Sequence, residues 1–135
     1  MRAKRFEYAA SLEPGGAVLA EGGARVELPE AWLPEHLVLV AVAQCTLASL
    51  RYYARESTVS GSAEAAGVVS RRDDGSYAFV ELEVLLDVEL DPPVDAGALP
   101  ALLARAEQGC FIGNSLSTRP RLVWRVNGGH VEVPE

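Results

Sequence analysis

The sequence predicts an α+β fold, and three observations support this prediction. The segment from Leu37 to Glu56 contains no glycine or proline and is typical of one long helix. The segments on either side of it alternate apolar and polar residues with the period of two expected for strands. A second helix is predicted from about Gly97 to Gly109, because its apolar residues share one helical stripe. These are Leu99, Leu102, Leu103 and Ala106.

The chain has 135 residues, which is enough for one compact domain over residues 1–135. Its formal net charge of -7 disfavours binding to nucleic acid or to anionic lipid, because an acidic surface does not neutralise phosphates. The longest purely apolar run, Leu37 to Ala43, is far shorter than the roughly 20 residues that cross a bilayer. No signal segment is recognised, so we expect a cytoplasmic protein without nucleic-acid or membrane partners.

Residues 4 to 28 are predicted to form a meander of short strands. Phe6, Tyr8 and Ala10 alternate with charged or small residues. The glycine-bearing segments at residues 14–16 and 21–23 are turn signals between these strands.

The first helix is predicted to begin at Pro34-Glu35, since proline suits the first turn and a carboxylate suits the helix dipole. Residues 37–43 are apolar on every side, as in a helix that is buried all round. At 1.5 Å per residue the whole helix is about 33 Å long. One small chain has little material to bury it, so we expect burial against a second copy.

The region from residue 57 to residue 90 is predicted to be strands. From Tyr77 to Leu90 one face is wholly apolar, as expected for a sheet packed on a core. The Asp73–Gly75 segment is a turn signal within this region. A final hairpin is expected from Leu122 to Val133, with Asn127-Gly128-Gly129 as its turn.

Cys45 and Cys110, the two cysteines of the chain, are its main candidates for chemistry. Each could be an inert buried thiol, and together they could form a redox pair. Metal binding is disfavoured, because only His36 and His130 could join them and no metal-ligand spacing is present. We therefore expect no metal site and no cofactor.

The segment from Pro34 to Ala54 resembles the central helix of the OsmC/Ohr family, which places a Pro-Glu pair ten residues before a cysteine. The segment from Ala106 to Leu116, with Cys110 in it, resembles the family's second cysteine segment. The order of meander, helix, three strands, helix and strands is also similar, so the resemblance covers nearly the whole chain.

The resemblance implies an intertwined homodimer with long central helices flanked by antiparallel sheets. It implies a thiol-dependent peroxidase that reduces organic hydroperoxides in oxidative stress defence. Cys45 would be the peroxidatic thiol, Cys110 the resolving thiol, and Glu35 the carboxylate that pairs with an active-site arginine. A small-molecule or lipoyl-type dithiol would then reduce the disulfide. The apolar residues 37–43, with Phe111, would favour alkyl peroxides.

Glu35 and Cys45 are separated by about 15 Å along a straight helix, because they are ten residues apart. Glu35 cannot contact Cys45 of its own helix, so any contribution to the site comes across a dimer or through a loop. This agrees with the second copy expected from the burial of the helix.

The sequence departs from the family pattern because the active-site arginine is absent from its expected loop. The expected loop, residues 11–19, contains none, and the remaining N-terminal candidates are Arg2, Arg5 and Arg25. Phe111 replaces the usual proline after the second cysteine, and Glu107 stands where a histidine is often found. Two other functions therefore stay open: an OsmC-fold protein that binds a small apolar ligand without turnover, and a thiol redox sensor.

Overall fold

A computed structural model describes residues 3–134, which contain seven strands and three helices. The chain divides between His36 and Leu37 into two compact units. In chain order the elements are β1 (Ala10–Leu12), β2 (Ala17–Ala20), β3 (Arg25–Glu27), α1 (Pro34–Tyr53), β4 (Thr58–Arg71), β5 (Tyr77–Asp91), α2 (Leu99–Gln108), α3 (Phe111–Ser115), β6 (Arg121–Val126) and β7 (Gly129–Val131).

The N-terminal unit contains the predicted meander, an antiparallel sheet in the order β1-β2-β3. A turn joins β1 to β2, with the Gly16 N–H donating a 2.9 Å hydrogen bond to the Glu13 carbonyl. Gly16 has a φ of 91°, a conformation that favours glycine, and this explains the Pro-Gly-Gly sequence there.

Helix α1 begins at Pro34, as predicted, and ends at Tyr53 instead of Glu56. The chain turns after Tyr53, where the Ser57 N–H donates to the Ala54 carbonyl. Only one stripe of α1 is buried within the chain; its buried residues are Val42, Thr46, Ser49 and Leu50. Leu37 and Val40 stay 39% and 46% exposed, so a single chain does not cover the apolar first half of the helix.

The C-terminal unit contains a four-stranded sheet in the order β4-β5-β6-β7. The apolar face of β5 is buried as predicted, through Leu82, Val84, Leu86, Val88 and Leu90. This face joins buried residues of α1, α2 and β6 in one core. The core therefore lies on one face of the sheet, against the elements that carry the two cysteines.

Two details of the predicted sheets are wrong. Strands β5 and β6 pair in parallel, because the chain between them carries α2 and α3 and crosses over before it returns. Two long strands, β4 and β5, lie between the helices instead of three. The β4 ladder continues through Gly61, where a Cβ would clash with the Asp87 carbonyl oxygen of β5.

Helix α3, which follows directly on the end of α2, was not predicted from the sequence. Cys110 is its N-cap residue, and the Cys110 Sγ accepts a 3.3 Å hydrogen bond from the Gly113 N–H. Cysteine is not among the residues that usually mark a helix start, so no sequence signal indicated the cap. Among residues 3–134 no helix has both the length and the apolar character needed to cross a membrane.

Candidate functional site: a pair of thiols

The structure brings Cys45 of α1 close enough to Cys110 for the two thiols to influence each other's ionisation, although they are far apart in sequence. Both cysteines are free thiols. Cys45 is partly exposed, whereas Cys110 is 3% exposed and belongs to the core. Solvent and small molecules therefore reach the pair from the Cys45 side.

Burial raises the pKa of the Cys45 thiol above its usual value. The interaction with the neighbouring Cys110 thiol, and the negative charge that Cys110 carries when ionised, raise the pKa of Cys45 further. Hydrogen bonds from the backbone N–H groups of Ile112 and Phe111 act in the opposite direction, since they favour the thiolate. The net effect is a thiol that ionises less readily than a free one.

Cys110 lies among polar groups of α1 and α3. The Thr46 hydroxyl, which is fully buried, donates to the Val42 carbonyl at 2.8 Å and shares its proton with Cys110 Sγ at 3.7 Å. The Gly113 N–H donates to the same sulfur. Cys110 Sγ is therefore in contact with one backbone N–H donor and one side-chain hydroxyl.

A cavity of about 30 Å³ adjoins Cys110 in the C-terminal unit. Its polar lining is provided by Thr46, Glu107, Asn114 and Arg119, and Cys110 itself contributes to the wall. The cavity therefore connects the buried thiol to an acid and to a cation.

Glu107 is held at this cavity by Trp124, whose indole N–H donates a 2.8 Å hydrogen bond to Glu107 Oε2. Burial raises the pKa of the Glu107 carboxyl, whereas the Trp124 hydrogen bond and the charge of Arg119 lower it. In the sequence, Glu107 stood out only as a departure from the family pattern. Trp124 was expected to be a core or interface anchor, and nothing in the spacing of Thr46, Arg119 and Trp124 indicated that they would lie near Cys110 and Glu107.

The structure places Glu35 in the first turn of α1, in the N-terminal unit, with an exposed side chain. The pairing of Glu35 with an active-site arginine therefore stays a prediction. Phe111 lies at the first position of α3, next to Cys110 in sequence, and is 52% exposed.

The arginine candidates are engaged within the N-terminal unit or lie outside the described residues. Arg25 forms ion pairs with Glu13 at 2.9 Å and with Glu27 at 3.0 Å, on an exposed strand. Arg5 lies 3.7 Å from Glu7. Arg2 is not among the described residues.

Within residues 3–134 no group of three or more His, Cys, Asp or Glu side chains is placed to hold a metal ion. The chemistry that this site can support directly is that of two adjacent thiols.

Solved structures similar to this one share its fold over nearly their whole length. An OsmC-like protein of unknown function from Vibrio cholerae matches with a TM-score of 0.71 and 17% identity, covering 90% of this chain and 99% of that one. The organic hydroperoxide resistance protein OsmC of Legionella pneumophila matches at 0.60 and 18%, covering 89% and 97%. OhrB, the organic hydroperoxide resistance protein of Bacillus subtilis, matches at 0.56 and 14%, covering 90% and 98%.

No curated protein sequence matches the chain significantly. The family model for OsmC-like proteins, however, matches residues 28–125, which include α1, both cysteines and most of the four-stranded sheet. The resemblance inferred from the two cysteine segments is thereby confirmed, and the chain belongs to the OsmC-like protein family.

Proposed function

We propose that this protein is a thiol-dependent peroxidase that reduces organic hydroperoxides, with Cys45 as the peroxidatic and Cys110 as the resolving cysteine. The observation that carries the proposal is the placement of two free, interacting thiols, one partly exposed and the other buried. Family membership supports it, since similar structures include proteins named for organic hydroperoxide resistance.

The proposed reaction uses each thiol once. The Cys45 thiolate attacks the distal peroxide oxygen, the O–O bond breaks, and the alkoxide leaves as an alcohol after taking up a proton. Cys110 then attacks the sulfenic sulfur of Cys45, the S–O bond breaks, and water leaves as the disulfide forms. A small-molecule or lipoyl-type dithiol exchanges with the disulfide and returns both cysteines to thiols.

The Cys45 thiolate is stabilised in this proposal by the N–H groups of Ile112 and Phe111. These donors offset part of the burial that raises the pKa of Cys45. A cation that pairs with Glu35 and reaches Cys45 in a dimer would lower the pKa of Cys45 further. The apolar side chain of Phe111, half exposed beside the thiol pair, would favour alkyl peroxides over hydrogen peroxide.

The active form is proposed to be a cytoplasmic homodimer. Leu37 and Val40 support the dimer, because both are large apolar residues left exposed on a long helix. We expect light scattering after gel filtration to give twice the chain mass, and Val40→Arg to give a monomer. Arg51→Ala, at an exposed polar position near the other end of the helix, is the control and should stay dimeric. A monomeric wild-type protein would contradict this part of the proposal.

The test of the activity is stopped-flow oxidation of the pre-reduced protein by cumene hydroperoxide. We expect fast oxidation that is lost in Cys45→Ser. We expect Cys110→Ser to stop at the sulfenic acid, which a dimedone adduct would detect by mass spectrometry. Oxidation no faster than that of a free thiol, or oxidation that survives Cys45→Ser, would contradict the proposal.

A thiol redox sensor is the second candidate, and the raised pKa of Cys45 favours it, since a less ionised thiol reacts more slowly. A sensor would form the Cys45–Cys110 disulfide slowly, with no gain in rate from a dithiol reductant. Steady-state peroxide consumption with dihydrolipoamide separates the two functions, because only the peroxidase turns over many times.

A further inference from the structure

The polar groups of the site surround the buried thiol, Cys110. Thr46 Oγ1 and the Gly113 N–H contact its sulfur, and the adjoining cavity is lined by Glu107 and Arg119. Cys110 is 3% exposed, so little of its side chain meets bulk water. A reaction that makes or breaks an S–S bond at Cys110 must nevertheless remove or return the thiol proton of that residue.

The cavity has the size and chemistry to carry a proton from Cys110 to Glu107. Its volume is about 30 Å³. A single water needs about 10–15 Å³ of such space together with two or more polar partners. Thr46, Glu107 and Cys110 supply those partners, so one water here can bridge the thiol and the carboxylate.

Glu107 is suited to accept the proton. Trp124 anchors its Oε2 while the residue still lines the cavity, so the carboxylate is held in place. Burial raises the pKa of Glu107, which makes its carboxylate a stronger base than an exposed one.

We propose that Glu107, acting through one water in this cavity, takes a proton from Cys110 when the Cys45–Cys110 disulfide forms and supplies a proton to Cys110 when the disulfide is reduced. When the disulfide forms, the Cys110 S–H bond breaks and the Cys110 sulfur attacks the Cys45 sulfur. The group previously bound to the Cys45 sulfur departs with the electron pair of the broken bond. Cys110 is oxidised, the departing group is reduced, and Glu107 holds the proton until solvent removes it. The physiological setting rests on the proposed peroxidase function, whereas the proton transfer itself requires only the two thiols.

Other charged groups near Glu107 influence its protonation and therefore the pH dependence of disulfide formation. Arg119 shares the cavity, and Arg121, His130 and Glu132 line a wider groove on the other side of Glu107. The positive charge of Arg119 favours the carboxylate, which is the form that accepts a proton. Disulfide formation should therefore accelerate as the pH rises through the pKa of Glu107 and then level off.

Dithiobis(nitrobenzoate) tests this step without any peroxide. Cys45 reacts first and releases one coloured thionitrobenzoate anion, and the attack of Cys110 on the mixed disulfide releases a second. Glu107→Gln keeps an oxygen that can accept from Trp124 but cannot take a proton. We expect it to slow the second release about 100-fold near neutral pH, within the range for general base catalysis, and to leave the first unchanged. The slowed rate should rise with hydroxide concentration.

Trp124→Phe provides the second variant. It retains the carboxylate but removes a hydrogen bond that lowers the pKa of Glu107, so the pH profile of the second release should shift to higher pH. Equal second phases in wild type and Glu107→Gln, or a wild type that releases only one anion, would overturn the proposal. Normal two-phase release without peroxide oxidation would refute the peroxidase and leave the role of Glu107 intact.

Discussion

Gly109 lies so close to Ser49 that a Cβ built on the glycine would be 2.7 Å from Ser49 Oγ. The same atom would be 2.9 Å from Tyr53 Cε2. Gly109 has a φ of -86°, which any residue adopts, so a close approach and not an unusual backbone explains the glycine. The end of α2 can therefore approach α1 closely, and this places the next residue, Cys110, near Cys45.

Gly109→Ala should lower the free energy of unfolding by about 1–3 kcal/mol, the usual cost of overpacking a tight contact. It should also slow disulfide formation, because the end of α2 must move away from α1. Urea unfolding measures the first effect. Gly15→Ala is the control, since a Cβ there meets nothing within 4 Å and its φ is not positive. An unchanged midpoint for Gly109→Ala would show that the contact is loose.

Ser49→Ala should raise the free energy of unfolding by about 1 kcal/mol, because it removes a buried hydroxyl without a hydrogen-bond partner among the described residues. Combined with Gly109→Ala it should also relieve the closest overlap. A double-mutant cycle should give a favourable coupling of at least about 0.5 kcal/mol. Additive effects would contradict the contact described above.

Asn127→Ala should destabilise the protein by about 1–3 kcal/mol. Asn127 has a φ of 47°, and its side chain accepts from the Leu90 N–H at 2.8 Å and donates to the Leu90 carbonyl at 3.2 Å. Asn127→Gly relieves the backbone strain but loses both hydrogen bonds, so it should be intermediate. Thermal unfolding of the two variants separates the contributions. A glycine variant as stable as wild type would mean that the hydrogen bonds contribute nothing.

The raised pKa of Cys45 predicts that stability falls in alkaline solution. The unfolded chain loses its thiol proton above about pH 8.5, whereas the folded chain retains it to a higher pH. The unfolded state then binds fewer protons, so the free energy of unfolding decreases as the pH rises through this window. Chemical unfolding from pH 7 to 10 measures the slope. The free energy of unfolding of Cys45→Ser should depend less steeply on pH. An equal dependence would mean that groups other than Cys45 cause it.

Leu103→Ala should cost about 2–5 kcal/mol, the range for leucines deleted from a core. Leu103 is 0% exposed and belongs to the cluster that joins α2 to the sheet. Leu85→Ala is the matched control, because Leu85 is 42% exposed on β5 and should cost much less. Similar losses for the two variants, measured by urea unfolding, would contradict the placement of the core.

Local patterns were sufficient to predict most of the fold. Pro34 marks the start of α1 because proline at a first turn leaves no hydrogen bond unmade. The apolar face of β5 was recognisable because alternation has a period of two wherever one face is buried. The parallel pairing of β5 with β6 was missed, since antiparallel and parallel strands share the same alternation and differ only in how the chain returns.

The candidate site was predicted as two cysteines in two segments that resemble a family, without evidence that the thiols meet. Short-range patterns describe neighbours on one helix or strand, whereas Cys45 and Cys110 are brought together by the packing of α2 and α3 against α1. Glu107 looked like a departure from the family pattern until its contact with Trp124 and its place in the cavity were known.

The sequence by itself determined α1, α2, the N-terminal meander, the long strand β5, the α+β class and the two thiols, because periodicity, prolines, turn residues and residue identity act locally. Only the tertiary structure decided which groups surround those thiols. It placed Thr46, Gly113 and Glu107 around Cys110 and left Cys45 partly exposed. Burial and charge at each sulfur are sums over groups distant in sequence, so the chemistry of the pair is a property of the packed chain.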